Sequence, residues 1–147
     1  MILRYSVQRF FFLLAKCFFG YDETILIFPT MTSAAVKPNI EMTDLEKLDI
    51  RVGTILEVSD IENSDKLVKL LVDFGSFKRY ILVGMKHERE NPKEIEGKQT
   101  LFIVNLAPRE MMGIKSEGML FDIGYADGIT PVLAMPEKAV PSGVRAG

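Results

Sequence analysis

The sequence predicts an all-β domain, a five-stranded Greek-key barrel with one short helix between its third and fourth strands, and three observations lead there. Runs of β-branched or alternating apolar residues recur between positions 50 and 106. Asn, Asp, Gly and Pro punctuate the gaps between them. One capped helical turn falls between the third run and the fourth. With 147 residues, 48% of them hydrophobic and 26% charged, the chain can fill one core and not two. It has no low-complexity tract and no fixed-period repeat, which excludes disordered and solenoid classes.

Taken in order, residues 32 to 41 hold Pro38 and small polar side chains and read as a linker or loose arm. Thr43-Asp-Leu-Glu46 has the spacing of a capping box, so a short helix is expected before Leu48, with Thr43 capping backbone N–H groups and Glu46 reaching back. The first strand follows through Ile50, Val52, Ile55 and Val58, bent at Gly53, whose surroundings are expected to be core. The second spans residues 67 to 74, the third 79 to 83 and the fourth 100 to 106. Asn91 caps the intervening helix, with Pro92 at its first position, Glu94 at its third and Gly97 just past its end. Residues 119 to 123 and 131 to 135 are weaker strand candidates. About five short strands with a helix in that place is the order of an OB-fold, a partly open barrel that presents a binding face.

The expected division is an N-terminal extension or linker over residues 1–41 and an OB-fold domain over residues 42–147. Phe10, Phe11, Phe12, Leu13 and Leu14 behind Arg4 and Arg9 superficially suggest a signal peptide or anchor. Lys16 interrupts that run, no small-x-small cleavage site follows, and residues 10 to 19 fall far short of the roughly 20 that a spanning helix needs. Met31, followed by Thr32-Ser33-Ala34-Ala35, is the expected biological start, the residues before it being upstream sequence. The one cysteine, Cys17, can form neither an intrachain disulfide nor a Cys-rich zinc site, so a reducing, cytoplasmic setting is expected, with no cofactor, metal or membrane partner.

A net charge of -2 argues against a uniformly basic coat, but the charge is unevenly spread. Residues 31 to 65 hold 3 Lys/Arg against 8 Asp/Glu, residues 66 to 115 hold 10 against 6, and residues 116 to 147 hold 2 against 4, giving -5, +4 and -2. The basic middle is where an anionic partner would sit.

Asn63-Ser64-Asp65 makes a turn that delivers Lys66 to the start of a strand, where its ammonium reaches a phosphate or simply solvates a rim. Lys78-Arg79-Tyr80 puts two cations and a ring on one strand, a workable surface for unpaired RNA. Alternation turns Arg79 away from Lys78 and Tyr80, so at most one of these sets lines a binding face, and Tyr80 belongs either to that face or to the core. Lys86 to Glu90 is expected as a solvated loop, and His87 has no nearby Cys or second His for a metal and no local nucleophile. Glu94 and Glu96 are expected to face solvent. The stretch NLAPREMMGIKSEGMLF, residues 105 to 121, breaks the apolar pattern: Asn105 ends a strand, Pro108 and Gly113 bracket a tight excursion, and Lys115, Ser116 and Glu117 precede Gly118, where backbone can approach a ligand or a neighbouring strand. These residues form either a polar rim suited to RNA shape recognition or a turn with Glu117 capping backbone groups and Met119 in the core.

LDIRVGTILEV, NSDKLVKLLVDFG, NPKEIEGKQTLFIVNLAPR, the closing PEKAVPSGVR and above all GIKSEGMLF resemble the tRNA-binding domain family from about Leu45 to Val144. Its members occur as free-standing structure-specific tRNA-binding proteins, as the C-terminal domain or β-subunit of methionyl-tRNA synthetase, and in a small secretion-associated chaperone. The resemblance implies a barrel that grips the outer corner of tRNA with little base specificity, as a homodimer built through elements flanking the barrel. Carried across by position, the tRNA-binding candidates are Lys66, Arg79, Asn105, Arg109, Lys115, Ser116, Glu117 and Met119. Glu110 and Met112 stand where relatives often have basic residues, and Val83 where a Ser is frequent; fewer cations imply weaker binding. Nothing resembles the HIGH or KMSKS segments of a synthetase catalytic domain, so binding without turnover is expected, with methionyl-tRNA synthetase a candidate partner and peptide capture by Met111, Met112 and Met119 the alternative.

Overall fold

The structure, a computed structural model, describes residues 35–147. The expectations for Met31 as the start, for Cys17 and for the apolar run at residues 10 to 19 lie outside the described residues. Among the described residues no helix is long and apolar enough to cross a membrane.

The architecture is all-β and is organised by its longest strand. β1 (Ile50–Asp60) has β2 (Val68–Asp73), β3 (Lys78–Val83), β4 (Gln99–Ile103) and the two-residue β7 (Met119–Leu120) in one five-stranded antiparallel sheet of order β3-β2-β1-β4-β7. The first half of β1 pairs with β4, from Ile50 opposite Ile103 to Thr54 opposite Gln99. Its second half pairs with β2, from Thr54 opposite Asp73 to Asp60 opposite Val68, with a bulge between Ile55 and Glu57. A strand shared between two partners with a bulge where they hand over must coil, which is how a sheet of this length curls toward closure. Gly53 lies just before that point. A Cβ there would stand 2.5 Å from Val72 Cγ1, 2.7 Å from Phe74 Cε1 and 2.9 Å from Phe102 Cδ2, so the strands can approach only because it is glycine.

Closure comes from the stretch that breaks the apolar pattern. β5 (Arg109–Met111) and β6 (Ile114–Ser116) form a hairpin with a two-residue loop, Met112-Gly113, both at positive φ as a type I′ turn requires. The hairpin returns the chain to β3. There Glu117 N–H donates to the Tyr80 carbonyl at 3.0 Å, and Leu82 N–H donates to Ser116 Oγ at 3.1 Å. Arg79 Nη1 bridges the same seam, donating to the Glu117 carbonyl at 2.9 Å and to the Val104 carbonyl. At Gly118 a Cβ would lie 2.9 Å from the Ile103 carbonyl oxygen and 3.1 Å from Ile81 Cδ1, so this glycine serves approach to neighbouring strands.

Inside, Ile55, Leu70, Val72, Ile81 and Phe102 are fully buried, and Phe74 stacks on Phe77 at 5.1 Å and meets Phe102 edge-on at 5.4 Å. Ile95 adds to this core from a one-turn helix, Pro92–Ile95, that joins β3 to β4. Asn91 Oδ1 caps it by accepting from Lys93 N–H at 3.1 Å, and Gly97 follows at φ +79°, as expected. The turn is a four-residue 3-10 helix, a length at which that geometry is common, and Ile95 is its buried residue. Glu96 is not simply solvated: its carboxylate accepts Val58 N–H at 2.8 Å, satisfying a β1 donor next to the bulge.

Three expectations are corrected. The helix at Met42–Leu45 starts two residues early, from an extended N-cap Glu41 with no side-chain cap, so Thr43 lies inside the helix and the capping box does not form. The fourth strand ends at Ile103 because Asn105 turns outward, its Oδ1 accepting Asp49 N–H at 2.8 Å and its Nδ2 donating to the Lys47 carbonyl at 2.6 Å. Residues 119 to 123 are two strands: β7 joins the barrel, whereas β8 (Asp122–Ile123) pairs with β9 (Val132–Leu133) in a separate ladder. The C-terminal segment straps β1, with Gly143 N–H donating to Val52 O at 2.7 Å and Val52 N–H donating to Val144 O at 2.9 Å. Asp49 clamps it, accepting from Arg51 and Arg145 at 3.0 Å each.

Two tests follow from closure and strap. Ser116→Ala leaves the Leu82 N–H buried without an acceptor and should cost about 1–3 kcal/mol, read as a lower urea midpoint with unchanged slope. The Arg51 hydrogen bond above all holds the Asp49 carboxyl below its ordinary value against the opposing effect of burial, with a lesser contribution from the Arg145 hydrogen bond. The clamp therefore stabilises fully above the unfolded carboxylate range and is lost as pH falls through the lower folded value. Asp49→Asn should lower stability at neutral pH and flatten that part of the acid limb, whereas an acid limb identical to that of the parent protein would refute the clamp.

Candidate nucleic-acid interface

A cleft of about 420 Å³ opens beside the closing seam, lined by residues from the end of β3, the turn before β2 and the segment from Leu106 to Tyr125. Leu67, Leu82, Met85, Met111, Met119 and Leu120 supply its apolar lining, and Lys66, Arg109, Glu88 and Asp122 its charges. Unbranched methionines give an apolar wall that adapts to what it meets.

Four of the eight candidates from the sequence line this cleft: Lys66, Arg109, Ser116 and Met119. Lys66 and Arg109 are exposed and make no ion pair among the described residues. Met119 is 45% exposed rather than core, since β7 has only two residues and alternation turns Leu120 inward in its place. Ser116 is 4% exposed, its hydroxyl accepting from Leu82 N–H. The other four stand elsewhere. Lys115 is exposed and pairs with Glu117 at 2.9 Å, an interaction that lowers the Glu117 pKa. Arg79 shares the inward-facing register position of Val72, lies 4.9 Å over the Phe77 ring and gives its donors to two carbonyls. Asn105 has both amide atoms engaged with residues 47 and 49.

The sequence did not single out Glu88, Asp122, Met85 or Tyr125 for the cleft. Glu88 sits in the charged run expected as a solvated loop, which the structure corrects. His87 and Glu90 are exposed, but Lys86 Nζ is tied to Asp60 at 2.6 Å and to the Ser64 carbonyl at 2.7 Å. Arg89 bonds Glu94 at 2.5 Å with its side chain only 15% exposed. These anchors hold the loop against the body, so Glu88 is partly desolvated. Burial first, then the charge of Asp122, pushes its pKa up against the opposing pull of Arg89. Periodicity could not reveal this, because the partners Asp60, Ser64 and Asp122 are remote in sequence. No cluster of three or more His, Cys, Asp or Glu converges to hold a metal among the described residues.

Comparison with known proteins agrees with the fold. Residues 50–145 match the family model described as "Putative tRNA binding domain". The methionine--tRNA ligase of Parabacteroides distasonis is 45% identical over 108 residues, covering 74% of this chain and 16% of that protein. That of Archaeoglobus fulgidus is 40% identical over 109 residues, again 74% of this chain and 16% of the relative. The chain therefore spans about a sixth of the length of these curated relatives. The crystal structure of a MetRS related protein from Pyrococcus horikoshii superposes with TM-score 0.69 at 33% identity, over 76% of this chain and all of that one. The chaperone CsaA from Bacillus anthracis superposes with TM-score 0.64 at 25% identity, over 75% of this chain and all of that one. A match running from the first residue of β1 to the C-terminal strap establishes that this chain belongs to the tRNA-binding domain family.

Proposed function

We propose that the chain is a non-catalytic module that holds folded tRNA by its shape. It works in the cytoplasm, free-standing or as an accessory to methionyl-tRNA synthetase, and as a homodimer. The observation that carries this reading is the cleft, where Lys66 and Arg109, which make no ion pair among the described residues, share one lining with Met119. Phosphate contacts supply most of the affinity in such complexes and fix register without reading bases, which suits recognition of an outline. Lys115 joins them when phosphate displaces Glu117 from its ammonium. Ser116, Arg79, Asn105 and the Glu117 backbone act one step back, fixing the loops that carry these cations. Exposed apolar side chains on the flanks, among them Ile40, Met42 and Leu45 before the barrel and Ile123, Val132 and Met135 after it, support pairing of two copies. The ligase relatives support the accessory role, because a tethered or docked module raises local tRNA concentration.

A second reading has its own support. Met85, Met111 and Met119 line the cleft together, and the fold is shared with CsaA chaperones, so the alternative is a peptide-binding, secretion-associated chaperone.

Anisotropy of labelled intact tRNA, an isolated stem-loop and an unfolded polypeptide over a salt series separates the two. With roughly three to five phosphates contacted, log affinity for tRNA should fall against log salt with a slope of about -0.7 to -0.9 per contact. Lys66→Ala and Arg109→Ala should each remove about one contact from that slope. Tight, salt-insensitive polypeptide binding with no preference for tRNA would reverse the ranking. Glu88→Gln removes an anion from the cleft and should tighten tRNA binding about twofold to fivefold at neutral pH. Because the Glu88 pKa is raised, the parent protein should gain the same affinity as pH falls through that value. A Gln variant no tighter than the parent would show that phosphate does not enter the cleft near Glu88.

A further inference from the structure

We propose that Met119 is an oxidation site that controls the cleft: hydrogen peroxide converts its thioether to the sulfoxide, and the oxidised protein holds tRNA more weakly. This inference rests on the tRNA-binding reading and adds a regulation of the same site.

Exposure and place single it out. Three methionines line the cleft, Met85, Met111 and Met119. Met85 is 3% exposed within the core cluster, Met111 is half-buried, and Met119 is 45% exposed. Susceptibility of a thioether follows its accessibility, so Met119 reacts first of the three. Met42, Met112 and Met135 are more exposed still, but none of them lines the cleft, and their oxidation leaves its wall unaltered. Met119 can also change without loss of the fold. Its backbone is held in β7 opposite Ile103, while the next residue, Leu120, carries the inward packing. A polar oxygen on Met119 therefore meets solvent and ligand, whereas the same oxygen on Met85 would break the core.

The step is a two-electron oxygen transfer. A lone pair of the Met119 sulfur attacks one peroxide oxygen, an S–O bond forms as the O–O bond breaks, and the departing hydroxide takes the proton of the transferred hydroxyl and leaves as water. Sulfur is oxidised to the sulfoxide and the peroxide is reduced. The product alters the cleft in two ways. A flexible apolar side chain becomes polar and chiral, so the adaptable wall that packs against ligand is lost. The sulfoxide oxygen is also a new acceptor on the lining that carries Lys66 and Arg109, and it competes with phosphate for their donors. Glu88 and Asp122 already place two carboxylates on that lining, so a further acceptor shifts it away from an anionic partner. Methionine sulfoxide is reducible by dedicated reductases, which makes the change a switch and not a lesion.

The test treats the full chain with graded hydrogen peroxide, maps added oxygen by peptide mass, and measures anisotropy of labelled intact tRNA and of an unfolded polypeptide. Each protein is compared with itself before and after treatment. Met119 should gain oxygen ahead of Met111 and Met85, and tRNA affinity of the parent should fall about threefold to tenfold in step with it. Methionine sulfoxide reductase with a thiol reductant should restore that affinity. Met119→Leu, which keeps Cys17 and every other methionine, should lose nothing on treatment, whereas Met135→Leu should lose as much as the parent. The urea midpoint of the parent should not move. An equal loss in Met119→Leu overturns the switch, as does unchanged affinity with Met119 oxidised, oxidation of Met111 or Met85 before Met119, or a lowered urea midpoint. The two proposals fail separately. Binding of tRNA that depends on Lys66 and Arg109 but survives oxidation of Met119 retains the cleft and rejects the switch. Polypeptide capture that falls with Met119 oxidation in a protein without tRNA affinity keeps the oxidation site and rejects the tRNA reading.

Discussion

Closure of the barrel across the β3 seam is the constraint on which the rest depends. A five-stranded antiparallel sheet leaves β3 with an unsatisfied edge, and a strand long enough to cover it would also cover the cleft. The chain uses a short hairpin and a few individual hydrogen bonds in its place. One backbone N–H, one serine hydroxyl and one guanidinium complete the edge, and the apolar space they leave beside β3 is the cleft. Barrel closure and cleft thus share the same residues, which is why a polar group such as Ser116 occurs at 4% exposure in a stretch, residues 114 to 119, that is otherwise exposed or half-buried.

The seam also explains the distribution of charge. Cations that lie on it or beside the core are engaged: Arg79 with two carbonyls and a ring, Arg51 with Asp49, Lys86 with Asp60, Arg89 with Glu94. The cations that make no ion pair among the described residues, Lys66, Lys69, Lys78 and Arg109 among them, project from strand ends or outer faces. Burial of an unpaired charge is costly and exposure of one is cheap, so folding by itself sorts the basic residues into those that hold the barrel and those free to meet phosphate. Glu110 and Met112 in the hairpin add no cation to this set, and Met112 carries the positive φ of the hairpin loop as well.

Much of this was legible in the sequence. β-branched alternation located β1 to β4 to within a residue or two at most ends, because one face of each strand is core and the period of two is enforced by burial. Asn91-Pro92 and Gly97 located the helical turn because capping and left-handed backbone are local requirements. The capping box at Thr43 failed for a matching reason: its spacing is a local signal, but the chain entered the helix two residues earlier and left Thr43 without donors to cap. The end of β4 was misplaced because Asn105 bonds to residues more than fifty positions away, and no local pattern carries that information.

By itself, then, the sequence determined the strands, the single core, the basic middle segment and the family, since each is written in nearest-neighbour periodicity or in contiguous motifs. Only the tertiary structure decided which polar residues close the barrel and which line the cleft. It also decided that Tyr80 faces outward, that Glu88 is desolvated and that Met119 lies on the surface. Those assignments depend on which strands become neighbours around a closed sheet, and the partners that set each side chain's exposure and charge lie tens of residues away along the chain.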